Sequence, residues 1–167
     1  MPLLRDGALV DDPWVTVDDG TQLPMDGPAI VSLERWQAHR DALLGRNAAL
    51  GIRLKSDQSP ALIAGDLDRF AVVALEFPVF RDGRAYSYAR LLRERYGYRG
   101  EVRAVGEVLR DQFLFMLRCG FDALEVKDEN AAGQWREAVS EISVVYQPAA
   151  DSQTPVWALR HRRSAAE

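Results

Sequence analysis

The side chains best suited to chemistry fall between Asp82 and Gln112. Asp82 and Asp111 are carboxylates able to take or give a proton, and Arg84 carries a planar guanidinium that grips phosphate, sulfate or carboxylate through paired hydrogen bonds. Tyr86 and Ser87 add hydroxyls, Gln112 an amide, and Arg103 a second guanidinium. Together they describe a site that holds a small anion and handles a proton beside it. A scaffold reading fits the same residues: Asp82 caps a helix, Arg84 pairs with Asp111 or Glu107, and Tyr86 packs.

The elements that must position this set follow from local pattern. Ala71 to Leu75 is an apolar run that reads as a buried strand, and it leads into Phe77-Pro78 and the turn pair Asp82-Gly83. From Arg84 onward Ala85, Ala89, Leu92 and Tyr96 recur at helical spacing, so free helix amides sit beside Asp82 and Arg84. Gly100 to Gly106 forms a strand, with Glu101 and Arg103 on one side as an ion pair that needs partners if buried. Val108 to Cys119 reads as a helix with apolar residues almost all round, hence heavily buried, and Phe121 to Val126 as a short strand. If the strands are parallel, the loops after each share one face, where ligands of open α/β sheets collect.

Elsewhere, residues 1–28 hold six aspartates and short β-prone pieces around Asp6-Gly7 and Asp19-Gly20, which suggests one or two hairpins lying against the main body. A helix is expected from Leu33, a strand over Leu50 to Leu54, a helix start at Ser59-Pro60, an amphipathic helix through Trp135 and a last strand over Ile142 to Tyr146. Residues 148–167 read as a tail, mobile beyond Trp157 to Leu159. The expected fold is a single α/β domain, residues 29–147, with a mostly parallel sheet and flanking helices. A doubly wound three-layer arrangement is the first form of it, and a half-barrel the alternative.

Composition narrows the function classes. One cysteine, Cys119, excludes an internal disulfide and an all-cysteine cluster, and His39 and His161 form no metal-binding spacing. Neither metal nor iron–sulfur ligands are in sight, so a redox cofactor would be borrowed and its identity is open. The common dinucleotide, P-loop, α/β-hydrolase and zinc-protease motifs do not occur. Of a net charge of −4, the segment from Arg81 to Arg118 contributes +4, nine arginines against five acids, so the rest carries −8. A local basic zone on an acidic chain suits a small anion or an acidic partner surface better than nucleic acid. Arg90, Arg93, Arg95 and Arg110 read as solvated helix residues paired with glutamates. No apolar stretch approaches the roughly 20 residues that span a bilayer, and the amino terminus lacks a signal-peptide layout, so a cytoplasmic location is expected.

The run Phe77-Pro78-x-Phe80-x-Asp82-Gly83-Arg84-x-Tyr86-Ser87-x-Ala89-Arg90, continuing through Gly97-Tyr98-x-Gly100-Glu101-x-Arg103-Ala104-x-Gly106 to Asp111-Gln112 and Arg118-Cys119-Gly120-Phe121-Asp122, resembles the bacterial domain-of-unknown-function family numbered nine-three-four. Leu33-x-x-Trp36 and Tyr146-Gln147 extend the resemblance over Ala29 to Gln147. The family often has aspartate where this chain has Glu107. The resemblance implies a place in assimilatory sulfite reduction, since members are typically encoded beside sulfite or nitrite reductase and often labelled oxidoreductases. Three readings follow. One is an accessory protein that binds an anion or the reductase. Another is an enzyme on a phosphorylated or sulfated small molecule, with Arg84 holding the anion and Asp82 or Asp111 moving a proton. The third is a docking surface on the arginine-rich helix.

Overall fold

In the computed structural model, which describes residues 2–151 and 153–164, apolar alternation resolves into eight strands: β1 (Leu3–Arg5), β2 (Ala8–Val10), β3 (Val15–Thr16), β4 (Ala29–Ser32), β5 (Leu50–Leu54), β6 (Val72–Phe77), β7 (Glu101–Gly106) and β8 (Ala123–Glu125). Five helices accompany them: α1 (Leu33–Leu44), α2 (Arg84–Arg90), α3 (Phe113–Cys119), α4 (Ala131–Ser140) and α5 (Val156–Ser164). A 3₁₀ segment, Pro60–Arg69, begins at the Ser59 cap. The side chain of His161, like Met1, lies outside the described residues.

All eight strands form one sheet in the order β2-β1-β8-β7-β6-β5-β4-β3. From β3 to β8 every pairing is parallel and the order never reverses. Right-handed crossovers that always step the same way place α1, the 3₁₀ segment, α2 and α3 on one face. A doubly wound sheet needs a reversal of strand order, so the expected three-layer form gives way to the half-barrel.

The chain dictates the curl. Val10 and Val15 belong to opposite edge strands, and five residues reach at most about 18 Å. Eight strands laid flat would hold those edges roughly 34 Å apart at ~4.8 Å per step. The sheet therefore bends until its edges approach, and residues 11–14 strap across the concave side. Trp14 packs there on Ile30, Val72, Ala74 and Val105. Gly51 makes room for it, since a Cβ on Gly51 would lie 2.9 Å from Ile30 Cγ1 and 3.3 Å from the Trp14 ring.

The convex side carries the main core. Val31, Ile52, Leu54, Val73, Leu75, Phe77, Val102 and Ala104 point outward from the strands onto Leu33, Trp36, Ala85, Ala89, Leu92, Phe113 and Met116. Their alternates, among them Ser32, Arg53, Glu76, Arg103 and Glu125, line the concave side, because successive strand residues face opposite ways.

Three expectations are corrected. The second hairpin is instead a parallel edge strand, β3. Ile142 to Tyr146 is no strand: Ile142, Val144 and Tyr146 are exposed, and the backbone bond that Val145 accepts from the Val156 amide at 2.8 Å belongs to no ladder among the described residues. Arg93 is no solvated helix residue, for it donates Nε to the Gly120 carbonyl at 2.9 Å and Nη1 to those of Tyr98 at 2.9 Å and Gly100 at 2.8 Å, and pairs with Asp122.

Candidate functional site

Beyond Phe77 the ladder stops at Pro78 and the chain makes an exposed loop, Val79-Phe80-Arg81, before Asp82 turns it into α2. Asp82 Oδ1 accepts the Arg84 amide at 3.2 Å, the local turn that aspartate favours. The Arg84 guanidinium folds back on the same carboxylate, with Nε at 2.9 Å and Nη2 at 2.6 Å, and Nη2 also donates to Ser56 Oγ at 2.9 Å. Arg84 beside it holds the Asp82 carboxyl far below the ordinary carboxylate range. The fork predicted for an external anion is occupied by its own neighbour two residues away.

Next to this pair lies a cavity of about 540 Å³ lined by Phe80, Arg81, Gly83, Tyr86, Asp111, Gln112, Phe115 and Cys119. Its walls come from the β6–α2 loop, the first turn of α2, and α3. Tyr86 stands edge-on to Phe77 at 5.1 Å and to Phe115 at 6.5 Å between ring centres. Burial pushes its phenol up, an effect opposed by the Gln112 side chain beside it. Gln112 is itself buried and accepts the Leu109 amide at 2.9 Å, which fixes its orientation. Asp111 is largely exposed and contacts only Arg110, at 3.8 Å. Desolvation also raises the Cys119 thiol, which makes a thiolate costly there.

Of the predicted residues, Tyr86, Asp111 and Gln112 line this cavity, whereas Asp82 and Arg84 do not, although their neighbours Arg81 and Gly83 do. Ser87 lies outside it, in a shallow surface hollow with Arg90, Leu91, Glu94 and Arg95. Arg103 is on the other side of the sheet, fully buried, donating to Glu101 at 2.8 Å and to Asp12 at 2.6 and 3.2 Å. It takes no part in the loop-face site.

Sequence reasoning missed Phe80 and Phe115, 55% and 67% exposed. The signal was present in the apolar residues encircling α3: a helix resting one side on a core needs only a stripe, so the surplus marked a second surface. The expectation of uniform burial is corrected accordingly. No group of three or more histidine, cysteine, aspartate or glutamate side chains among the described residues is arranged to hold a metal. No helix among them is long and apolar enough to cross a membrane.

A comparison with protein families matches residues 51–157 to the family described as bacterial protein of unknown function, DUF934, and the chain belongs to it. The match starts inside β5, so it takes in the loop-face cavity but leaves the amino-terminal strap outside. No curated protein and no solved structure matched the chain.

Proposed function

We propose that this protein is an accessory component of assimilatory sulfite reduction that docks onto its reductase through the loop-face cavity. The pathway comes from the setting of the family, whose members are typically encoded beside such reductases. The docking mode rests on one observation: two large aromatic side chains, Phe80 and Phe115, stand exposed around one cavity while the neighbouring guanidinium of Arg84 is committed to Asp82. Exposed apolar surface rimmed by polar groups marks interaction sites, and aromatic residues are the usual anchors there. Arg81, beside Phe80, adds a positive charge at the rim.

The deciding experiment joins genetics to binding. A deletion strain should fail to grow on sulfate and grow on cysteine, and the purified protein should retain the reductase in a pull-down. Normal growth on sulfate would remove the pathway assignment; retention unaffected by Phe80→Ser with Phe115→Ser would remove the docking site. The enzymatic reading draws on the size of the cavity, within the range of small-molecule sites, and on the convergence of Tyr86, Gln112 and Asp111 inside it. In that reading Asp111→Asn would abolish turnover of a phosphorylated or sulfated substrate without altering the fold, and undiminished turnover would reject it.

A further inference from the structure

On the opposite, concave side of the sheet, the carboxyl ends of β4, β5 and β6 open onto a second cavity of about 270 Å³. Its lining includes Asp18, Asp19, Ser32, Arg53, Lys55 and Glu76. Ser32 and Arg53 are register partners in adjacent strands. This is the place in a (β/α) sheet where loops and strand ends combine to hold small molecules.

Arg53 is the unusual member. Its guanidinium makes no hydrogen bond among the described residues and is held by an ion pair, Nη2 to Glu76 Oε2 at 3.2 Å. Other arginines rooted in the sheet and its adjoining loops are anchored: Arg103 on Asp12 and Glu101, Arg84 on Asp82 and Ser56, Arg46 on the carbonyls of Pro24 and Gly27. With its side chain 39% exposed, Arg53 leaves its donor fork open toward the cavity. Two residues on, Lys55 adds a second cation, tied at 2.6 Å to Glu34. Facing them after β3 are two carboxylates. Asp19 accepts from Ser32 Oγ, which is fixed as the cap of α1 by the Arg35 amide at 2.9 Å. Asp18 engages Arg35 only through its backbone carbonyl, at 2.8 Å, so its carboxylate has no partner among the described residues.

We infer that this cavity binds a small zwitterion, its carboxylate on the open fork of Arg53 with Lys55 behind it and its ammonium on the Asp18–Asp19 wall. The two open groups select that class, since a simple cation would leave the Arg53 fork without an acceptor and a simple anion would leave the Asp18 carboxylate unmet. Three acids against two cations line the cavity, so a simple anion would add to an existing negative excess. A molecule carrying both signs leaves the balance unchanged and satisfies both open groups. The inference is independent of reductase docking, because Phe80 and Phe115 lie across the sheet.

The test is calorimetric titration of the full chain with acetate and methylammonium, and with glycine, β-alanine and 4-aminobutyrate, which carry the two charges at increasing separation. At least one zwitterion should bind at least tenfold more tightly than either single-charge probe. Arg53→Gln should weaken it at least tenfold with unchanged circular dichroism, since no hydrogen bond of the fold is lost. Asp18→Asn should weaken the zwitterion severalfold and leave acetate unaffected. Failure of every zwitterion to exceed acetate overturns the proposal. So does equal affinity in Arg53→Gln, or in Lys55→Gln with Asp18→Asn should the first variant unfold.

Discussion

Arg103 and Asp12 stand 91 positions apart in the chain and meet at 2.6 Å inside the half-barrel. Arg103 is fully buried, and its guanidinium is neutralised by Asp12 from the strap and Glu101 from its own strand, while Glu101 is held in turn by Arg5. A buried guanidinium is tolerated only when its charge and donors are met.

Removing the strap's half of that pair should therefore cost more than a surface pair would. Asp12→Ala is expected to destabilise the protein by about 3 kcal/mol, with Arg103→Met restoring part of the loss by removing the stranded charge. Urea unfolding of both variants and the double variant measures the coupling. Additive losses would show that the pair does not couple the strap to the sheet.

Glu125 offers a test by pH. Burial raises its carboxyl above the ordinary 4.5, against the pull of Arg103 and Arg53. A carboxyl that titrates higher in the folded state than in the unfolded one binds its proton more tightly when folded. Its ionisation therefore costs stability as pH rises through and above 4.5. Glu125→Gln should melt higher than the natural protein at pH 7, with the difference shrinking as pH falls toward 4.5. A melting difference independent of pH would contradict this.

Gly51→Ala should destabilise by about 1–3 kcal/mol through overpacking. The new methyl would press on Ile30 Cγ1 at 2.9 Å, Val72 Cβ at 3.2 Å and Trp14 at 3.3 Å, and Ile30 and Val72 are buried. Trp14→Leu in the same chain should recover part of the loss, which thermal unfolding would register.

Arg93→Lys should cost about 2–3 kcal/mol, because an ammonium cannot reproduce a fork that reaches three carbonyls and a carboxylate at once. A loss below 0.5 kcal/mol in chemical denaturation would restore the solvated reading of this residue.

Phe80→Ser with Phe115→Ser should change stability by no more than about 0.5 kcal/mol, as exposed side chains usually do. In the proposed docking mode it should weaken capture of the reductase at least tenfold. Stability and affinity falling together would mean that the pair supports the fold.

Those contrasts also show what the chain spells out and what it hides. The strand over Leu50 to Leu54, the Ser59 cap and the Asp82-Gly83 turn depend on neighbours within a few residues, and they stand where local pattern puts them. The direction in which successive strands are laid down has no local signature, so the half-barrel stayed an alternative. Arg93 looked like an ordinary charge because its partners Gly120 and Asp122 are distant in sequence, whereas for Arg103 the pairing with Glu101 was legible two residues away and only Asp12, 91 positions off, was hidden. Three members of the candidate site, Tyr86, Asp111 and Gln112, emerge from the rule that ligands gather at strand ends. Arg103 was added as a second guanidinium on residue type alone, and its place inside a strand, on the face away from the loops, keeps it out of that rim.

The strap has a temporal side. Asp12 leaves the ribosome 91 residues before its partner exists, a wait of roughly 5–20 s at bacterial synthesis speeds. Leu3 and Leu4, buried in the finished sheet, wait longer still for β8. Residues 3–12 are thus among the last to find their place, and the chain carries open sheet edges until they do. The acids at positions 6, 11, 12, 18 and 19 put charge on that waiting segment, a means by which proteins blunt open edges.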